Sequence, residues 1–273
     1  MKKILFKTIN NKIFKKKPIV LMHIGSQGSE FLSWSKIGKV SILISVDASN
    51  TNKSDRHFLK KINIKSIISE KNSKRVFNTT KDSDCSSLLI PNKTEYSRWF
   101  NANRFKVINK KKVDTISLNK LLKKLNIDYI DWLVIDAQGI DLKIFKSLKT
   151  KIRSSISILE IEPGFFKFYK NEGNISEIFN FMNKKFEFSD MKFGHSYKLD
   201  KKILKNLDKK ILYKFNNPSI IYSNITFINK LNSNLRIRLL KILYLILSRK
   251  YFEAKNYLLQ NNISKEENDI ILE

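Results

Sequence analysis

Four stretches of the chain are apolar, rich in β-branched residues and closed by turn chemistry: Ile19–Ile24, Ser41–Asp47, Asp131–Ala137 and Ser155–Glu162. Each predicts a buried or half-buried strand. A shorter run, "NIKSIIS" at Asn63–Ser69, predicts a fifth. Apolar positions at helical spacing fall between them, over Glu30–Ile37, Asp55–Ile62, Ser117–Leu125 and Ile140–Leu148. The order is strand, helix, strand, helix, strand, an irregular insert, then helix, strand, helix, strand. Such alternation implies right-handed crossovers and an α/β fold, its mainly parallel sheet covered by helices on both faces.

The insert, about Lys74–Lys112, is dense in Ser, Thr and Asn yet carries Tyr96, Trp99 and Phe100. Long loops in compact domains are usually lids or binding loops. Its aromatic rings either stack on a sugar face or anchor the insert. Beyond Glu162 the pattern predicts a helix from near Asn174 and strands around Phe186–Phe193 and Ile220–Ile228. Leu235–Glu273 reads as two or three amphipathic helices with lysine outward. The chain thus divides into a basic segment 1–17, a main domain 18–230 and a helical extension 231–273.

Length and composition fit one substantial globular core: 273 residues, 42% hydrophobic. The charge changes the picture more, since 53 basic against 25 acidic residues leave +28. That invites a polyanionic partner. Only eight of the basic residues are Arg, however, and phosphate recognition favours the forked guanidinium. Abundant Lys, Asn and Ile together read as compositional drift, so nucleic acid is not the expected partner, while peripheral membrane contact stays open. One cysteine, Cys85, excludes an internal disulfide and suits a reducing compartment. The N-terminus has no signal-peptide pattern. The most apolar late run, Leu239–Leu247, contains a lysine and is far short of the roughly 20 residues that cross a bilayer. The expectation is a cytoplasmic protein, with oligomeric state undetermined.

Candidate chemistry gathers where the predicted strands end. In "IVLMHIGSQGSEFLSW" (Ile19–Trp34) the apolar run stops at Gly25, Gly28 follows, and a helix-like segment comes next. Ligands in doubly wound sheets sit beyond the strands' carboxyl ends, where strand order reverses, and a closely approaching loop favours glycine. A tight turn without a ligand uses glycine too. The second strand, "SILISVDAS", closes on Asp47 at about the spacing where a carboxylate accepts hydrogen bonds from ribose hydroxyls. A turn-capping aspartate is the plainer alternative. No third glycine stands in dinucleotide spacing, so the pattern fits a nucleoside better. "DWLVIDAQG" closes on Asp136, and a charge ending a buried strand is costly without partners. Three strands thus bring glycine or acid to one edge of the sheet.

These segments resemble the FkbM-type methyltransferases. The likeness is carried by "VDTISLNKLLKKLNIDYIDWLVIDAQGIDLKIFKSL" (Val113–Leu148), "HIGSQGSEFLSW", "DSDCSSLLIPN" and "EPGFFKFYKNEGNISEIFNFM", in the family's order across about Ile19–Ile228. The resemblance implies a class I, Rossmann-like methyltransferase with a seven-stranded sheet and S-adenosyl-L-methionine as cofactor. The implied reaction is O-methylation of a sugar, a polysaccharide or another small hydroxylated metabolite. It implies that the turn of His23, Gly25, Ser26, Gln27 and Gly28 passes under the cofactor's methionine end. Asp47, followed by Ala48, would hold the ribose, and Ile67–Ser69, chiefly Ile68 and Ser69, would flank the adenine. Asp136 would lie near the reactive end, as cofactor contact or as base.

Four positions depart from the family pattern. His23 stands where an acid is usual, Asp47–Ala48 replaces glutamate–proline, Asp141 replaces glutamate, and Asn119 replaces aspartate. They leave open a catalytically inactive binding module, and the charge leaves open an RNA or protein methyltransferase. A hydroxyl acceptor benefits from a base, for which Asp136 leads and His195, Glu160 and Glu162 follow. Cys85 lacks a His or Asn partner pattern and reads as a packing residue, and no metal-ligand spacing is present.

Overall fold

The computed structural model describes residues 2–26, 33–49, 56–198, 218–231 and 234–260. Its axis is β1 (Ile19–Ile24), buried at every position, as a run apolar but for His23 requires when helices cover both faces of a sheet. β2 (Ser41–Asp47) and β7 (Trp132–Ile135) flank it in parallel. β3 (Lys60–Lys65) extends the sheet beyond β2, and β8 (Ile158–Ile161) extends it beyond β7, both in parallel. The far edge is built by β10 (Ser219–Asn229) and β9 (Phe186–Ser196), giving the order β3-β2-β1-β7-β8-β10-β9 over seven strands. β10 runs antiparallel to both its neighbours, so the sheet is mainly parallel, as expected, with an antiparallel edge that makes it mixed. β9 and β10 are consecutive, and antiparallel neighbours need no crossover helix.

Side-chain alternation along β1 divides the core in two. Val20, Met22 and Ile24 join a cluster covered by α4 (Leu118–Lys124), α5 (Asp141–Ser147), α6 (Thr150–Ser155) and α7 (Ile175–Met182). Ile19 and Leu21 join the other, under α2 (Lys12–Lys16), α8 (Leu235–Leu247) and α9 (Tyr251–Gln260). Local chemistry starts these helices where the sequence directs. The Ser117 hydroxyl accepts from the Lys120 amide at 3.3 Å, and Asn174 Oδ1 accepts from the Glu177 amide at 2.8 Å. α8 is buried at nine of 13 positions, which an amphipathic surface helix would not be. Its Lys241 bonds Glu187 rather than facing water.

Several expectations are corrected. The helix at 55–62 is not formed among its described residues: 56–59 are turn and bend, and β3 begins at Lys60. Ile62 and Ile64 pack on the core while their neighbours do not, a period of two. The strand expected over Asn63–Ser69 breaks at Ser66, and β4 (Ile67–Ser69) leaves the main sheet to pair with β6 (Val107–Ser117). β5 (Ser73–Thr80) pairs antiparallel on the other side of β6, so the two ends of the supposed irregular insert belong to a three-stranded sheet, and only its middle is irregular. Five consecutive exposed positions along β6, with Lys110–Lys112 among them, hide its strand character. The described part of the helix expected over Glu30–Ile37 is a 3-10 turn, Trp34–Val40, which buries Trp34 and Ile37 three residues apart. The basic N-terminal segment forms α1 (Lys2–Ile9) and α2. Among the described residues no helix is long and apolar enough to cross a membrane.

One buried ion pair joins these parts. Asp131, at the start of β7, accepts from Arg236 of α8 through both oxygens, at 2.8 and 2.6 Å, and from the Val20 amide at 2.9 Å. The same guanidinium donates to the carbonyls of Lys17 and Pro18, at 2.7 and 2.8 Å. Removing one partner strands the other charge in the interior. Asp131→Ala is expected to cost about 3–5 kcal/mol of stability, read from urea unfolding curves; a loss below about 1 kcal/mol would show that the clamp is dispensable.

Candidate functional site

Strand order reverses at β1, whose neighbours β2 and β7 are reached in opposite directions, so a crevice opens at their carboxyl ends. Gly25 lies there at φ +80°, a left-handed conformation that other residues adopt at a cost. A Cβ on Gly25 would fall well inside the Asp136 carbonyl oxygen. The Gly25 amide donates to the Val46 carbonyl at 2.8 Å, and the Asp136 amide to the Ile24 carbonyl at 3.0 Å. The glycine therefore lets three strand ends close on one another at the mouth of the crevice.

Beyond this contact is a cavity of about 590 Å³, within the range that holds a cofactor. Gly25, Asp47, Ala48, Ile68 and Asp136, all drawn from sequence, line it. Asp47 Oδ1 accepts from the Ser49 amide at 2.7 Å and from its hydroxyl at 2.6 Å, so this carboxylate caps a turn while it stands at the cavity wall. Ile67, Ile68 and Phe77 supply an apolar side suited to a base. Ser69 is not in this wall: its hydroxyl donates to Glu70 at 2.8 Å and accepts from Arg75 at 3.2 Å. His23 does not line the cavity either. It faces the second core, its ring edge-on to Trp34 at 6.4 Å between centroids, because alternation along β1 turns it away from Met22 and Ile24. Ser26 is buried in the turn, its amide 3.4 Å from the Val46 carbonyl. Gln27 and Gly28 lie outside the described residues.

A second cavity, about 230 Å³, shares Asp84, Asp136 and Gln138 with the first. Gln138 is the seam. Its backbone is left-handed at φ +50°, and its Nε2 donates to Asp136 Oδ1 at 2.6 Å while Oε1 accepts from the Tyr169 hydroxyl at 2.8 Å. Its carbonyl accepts from Ser87 Oγ at 2.7 Å. Asp141 fixes this turn by accepting from the amides of Ala137 and Gly139, at 3.1 and 3.0 Å. Glu162, just beyond β8, and Glu172 complete an acidic lining opposite Phe105, Phe168 and Tyr222. Arg104 is the one cation in either wall among the described residues, and Asp82 holds it at 2.6 Å.

Burial sets the protonation of these acids. It raises Asp136 to about 7, with the Asp141 charge adding to the effect and the Gln138 bond opposing it. Glu162 is pushed higher, to about 9, by burial and by the charges of Asp136 and Asp141. Burial and mutual repulsion therefore hold protons on this pair of carboxyls well above the ordinary carboxylate range. Glu172, which accepts from the Tyr169 and Gly164 amides, rises to about 7 through burial. Cys85 is pushed up to about 12 by burial, which keeps it a thiol.

The other candidate bases lie elsewhere. Glu160 accepts from Trp132 Nε1 at 2.7 Å, within β8 on the second-core side. His195 is exposed on β9 beside Phe193. Trp99 packs on Phe166 and Tyr96 stacks on Phe105, so these rings anchor the segment between β5 and β6. Sequence reasoning missed Gln138, Tyr169, Glu172 and Asp84. Only Gln138 carried a local signal, its place before glycine in "DAQG", a turn signature.

The mixed α/β sheet with a cavity at its switch point is consistent with a methyltransferase fold. The sequence matches the methyltransferase FkbM domain over residues 38–192, more than half of the chain, and the chain belongs to this family of methyltransferases. The matched stretch contains Asp47, the three-stranded sheet and Asp136, while Gly25 precedes it. No curated protein and no solved structure matches the chain.

Gly25→Ala is expected to cost at least about 1–3 kcal/mol, since it adds both an unfavourable φ and a collision with the Asp136 carbonyl. Thermal unfolding checks it; an unchanged midpoint would mean that β1 and β7 are free to separate.

Proposed function

We propose that this protein is an S-adenosylmethionine-dependent O-methyltransferase acting on a sugar, a polysaccharide unit or another small hydroxylated metabolite. The observation that carries the reading is the meeting of two cavities at Asp136 and Gln138. The larger suits the cofactor: Gly25 and Asp47 line it, with the Asp47 carboxylate able to accept from ribose hydroxyls, and Ile67, Ile68 and Phe77 offer a base-sized apolar wall. When bound, the cofactor supplies an electrophilic methyl group on a sulfonium. The smaller cavity offers carboxyl groups as hydrogen-bond acceptors for hydroxyls, with aromatic rings beside them.

Asp136 takes the role of base. Gln138 holds Oδ1, which leaves Oδ2 to accept the proton of an acceptor hydroxyl. Glu162, whose carboxyl burial raises above the ordinary range, hydrogen-bonds and orients the acceptor. Positioning and exclusion of water supply the remainder of the rate.

The readings with other acceptors gain less support. A single cation in the cavity walls gives a polyanionic acceptor little to hold near the seam. An open cavity of about 590 Å³ does not fit a module whose cofactor site has closed. A reducing compartment such as the cytoplasm agrees with the lone buried Cys85.

Calorimetric titration with S-adenosylhomocysteine tests the cofactor half. Micromolar binding is expected, weakened about tenfold by Asp47→Ala, the loss of a charge-assisted hydrogen-bond acceptor. No heat with the wild-type protein would overturn the reading.

The pH–rate profile tests the catalytic half. Asp136 must be ionised to act, so kcat/KM is expected to rise with pH through about 7, with acid limiting the rate. Asp136→Asn should lower kcat by about 10²–10⁴ while leaving cofactor binding within a few-fold. Glu162→Gln, which copies the protonated form, should keep the acid limb in place. An acid limb that disappears in Glu162→Gln would transfer the base role to Glu162.

A further inference from the structure

The basic surface is not uniform. Residues 2–17 hold seven lysines in sixteen positions and no acid, against 53 Lys and Arg in 273 residues overall, and the first acidic residue is Glu30. That is more than twice the chain's average density, which compositional drift alone does not produce.

This segment is mounted rigidly. The inner face of α1 sets Ile4, Leu5 and Ile9 against the second core, with Thr8 fully buried, and Phe14 of α2 is buried in that core. Arg236 clamps the exit of the segment at the Lys17 and Pro18 carbonyls. Lys2, Lys3 and Lys7 of α1 and Lys12, Lys15 and Lys16 of α2 are all exposed. Phe6 is 67% exposed in their midst. Lys3, Phe6, Lys7 and Asn10 follow helical spacing, so the aromatic ring stands on the same outward ridge as the lysines. The same helical layer exposes Phe252 of α9 at 88%.

We infer that α1 and α2 form a docking surface for an anionic lipid membrane. Lysine ammonium groups are attracted to a negatively charged leaflet, and a phenylalanine between them gains by entering the headgroup region. Nucleic acid is the weaker fit, because the segment contains no arginine for bidentate phosphate contact. The Arg236 clamp lies where β1 begins, at the opposite end of that strand from Gly25. A docked molecule therefore need not cover the cofactor crevice with its own membrane-facing end.

Vesicle co-sedimentation with the full chain tests this, using phosphatidylcholine vesicles with and without phosphatidylglycerol. Binding to the anionic vesicles only is expected, lost in about 0.5 M salt as screening shortens the field. Lys3→Glu/Lys7→Glu/Lys15→Glu should weaken that binding by at least about tenfold. Lys110→Glu/Lys111→Glu/Lys112→Glu, the same charge change on exposed β6, should weaken it far less. Phe6→Ser, which leaves the charge intact, should weaken it several-fold. Absence of binding overturns the inference, as does equal weakening by the two triple variants, which would mean diffuse charge. A short RNA that binds where the anionic vesicles do not would reassign the surface. Unchanged S-adenosylhomocysteine binding in the N-terminal variants would keep the effect separate from the proposed enzymatic reading.

Discussion

The site depends on one backbone contact. Where β1 ends, the main chain at Gly25 comes so near the Asp136 carbonyl that no Cβ fits between them. This closeness fixes the tips of β1 and β7, and the Gly25 amide bonds β1 to β2 through Val46. With those tips pinned, the turn after β7 has little room. It reverses through left-handed Gln138 and Gly139, held by the two Asp141 oxygens, and so aims the Gln138 side chain back at Asp136. A methyl group at Gly25 would disturb the walls of both cavities at once.

The acids at the seam are placed against the molecule's own stability. Asp136 and Glu162 bind their protons more tightly folded than unfolded, with folded values of about 7 and about 9. The stability they contribute is full below the ordinary carboxylate range and is lost as pH rises through those folded values. A chain selected for stability alone would not bury two carboxyl groups against one another. That cost, and the contrast between an acidic seam and a +28 exterior, set the cavity apart from the packed core on either side of the sheet.

How much of this the sequence disclosed follows from the range of the interactions. β1 and β2 were legible to the residue because burial on both faces leaves them apolar at most positions, with small or polar residues only at His23, Ser41, Ser45 and the closing Asp47. Gly25, Asp47 and Asp136 were legible because strand ends bear recognisable punctuation. β3, β5 and β6 were obscured, since one face of each meets solvent and lysines occupy it. The orientation of His23 toward Trp34, and of Ser69 toward Glu70 and Arg75, is set by which sheet each strand joins, and no local pattern encodes that. Tyr169 and Glu172 reach the seam from distant loops, so their roles appear only when the chain is folded.

The two ends of β1 carry different physics. Its carboxyl end opens on a cavity whose walls hold acids and one neutralised arginine. Its amino end is tied by Asp131 and Arg236 to helices whose outward charge is wholly positive. One strand of six residues, buried throughout, separates them by about 20 Å, roughly twice the distance over which physiological salt screens exposed charges. The shifts of the seam carboxyls are accordingly set by their own burial and by the acids beside them rather than by the lysines of α1 and α2.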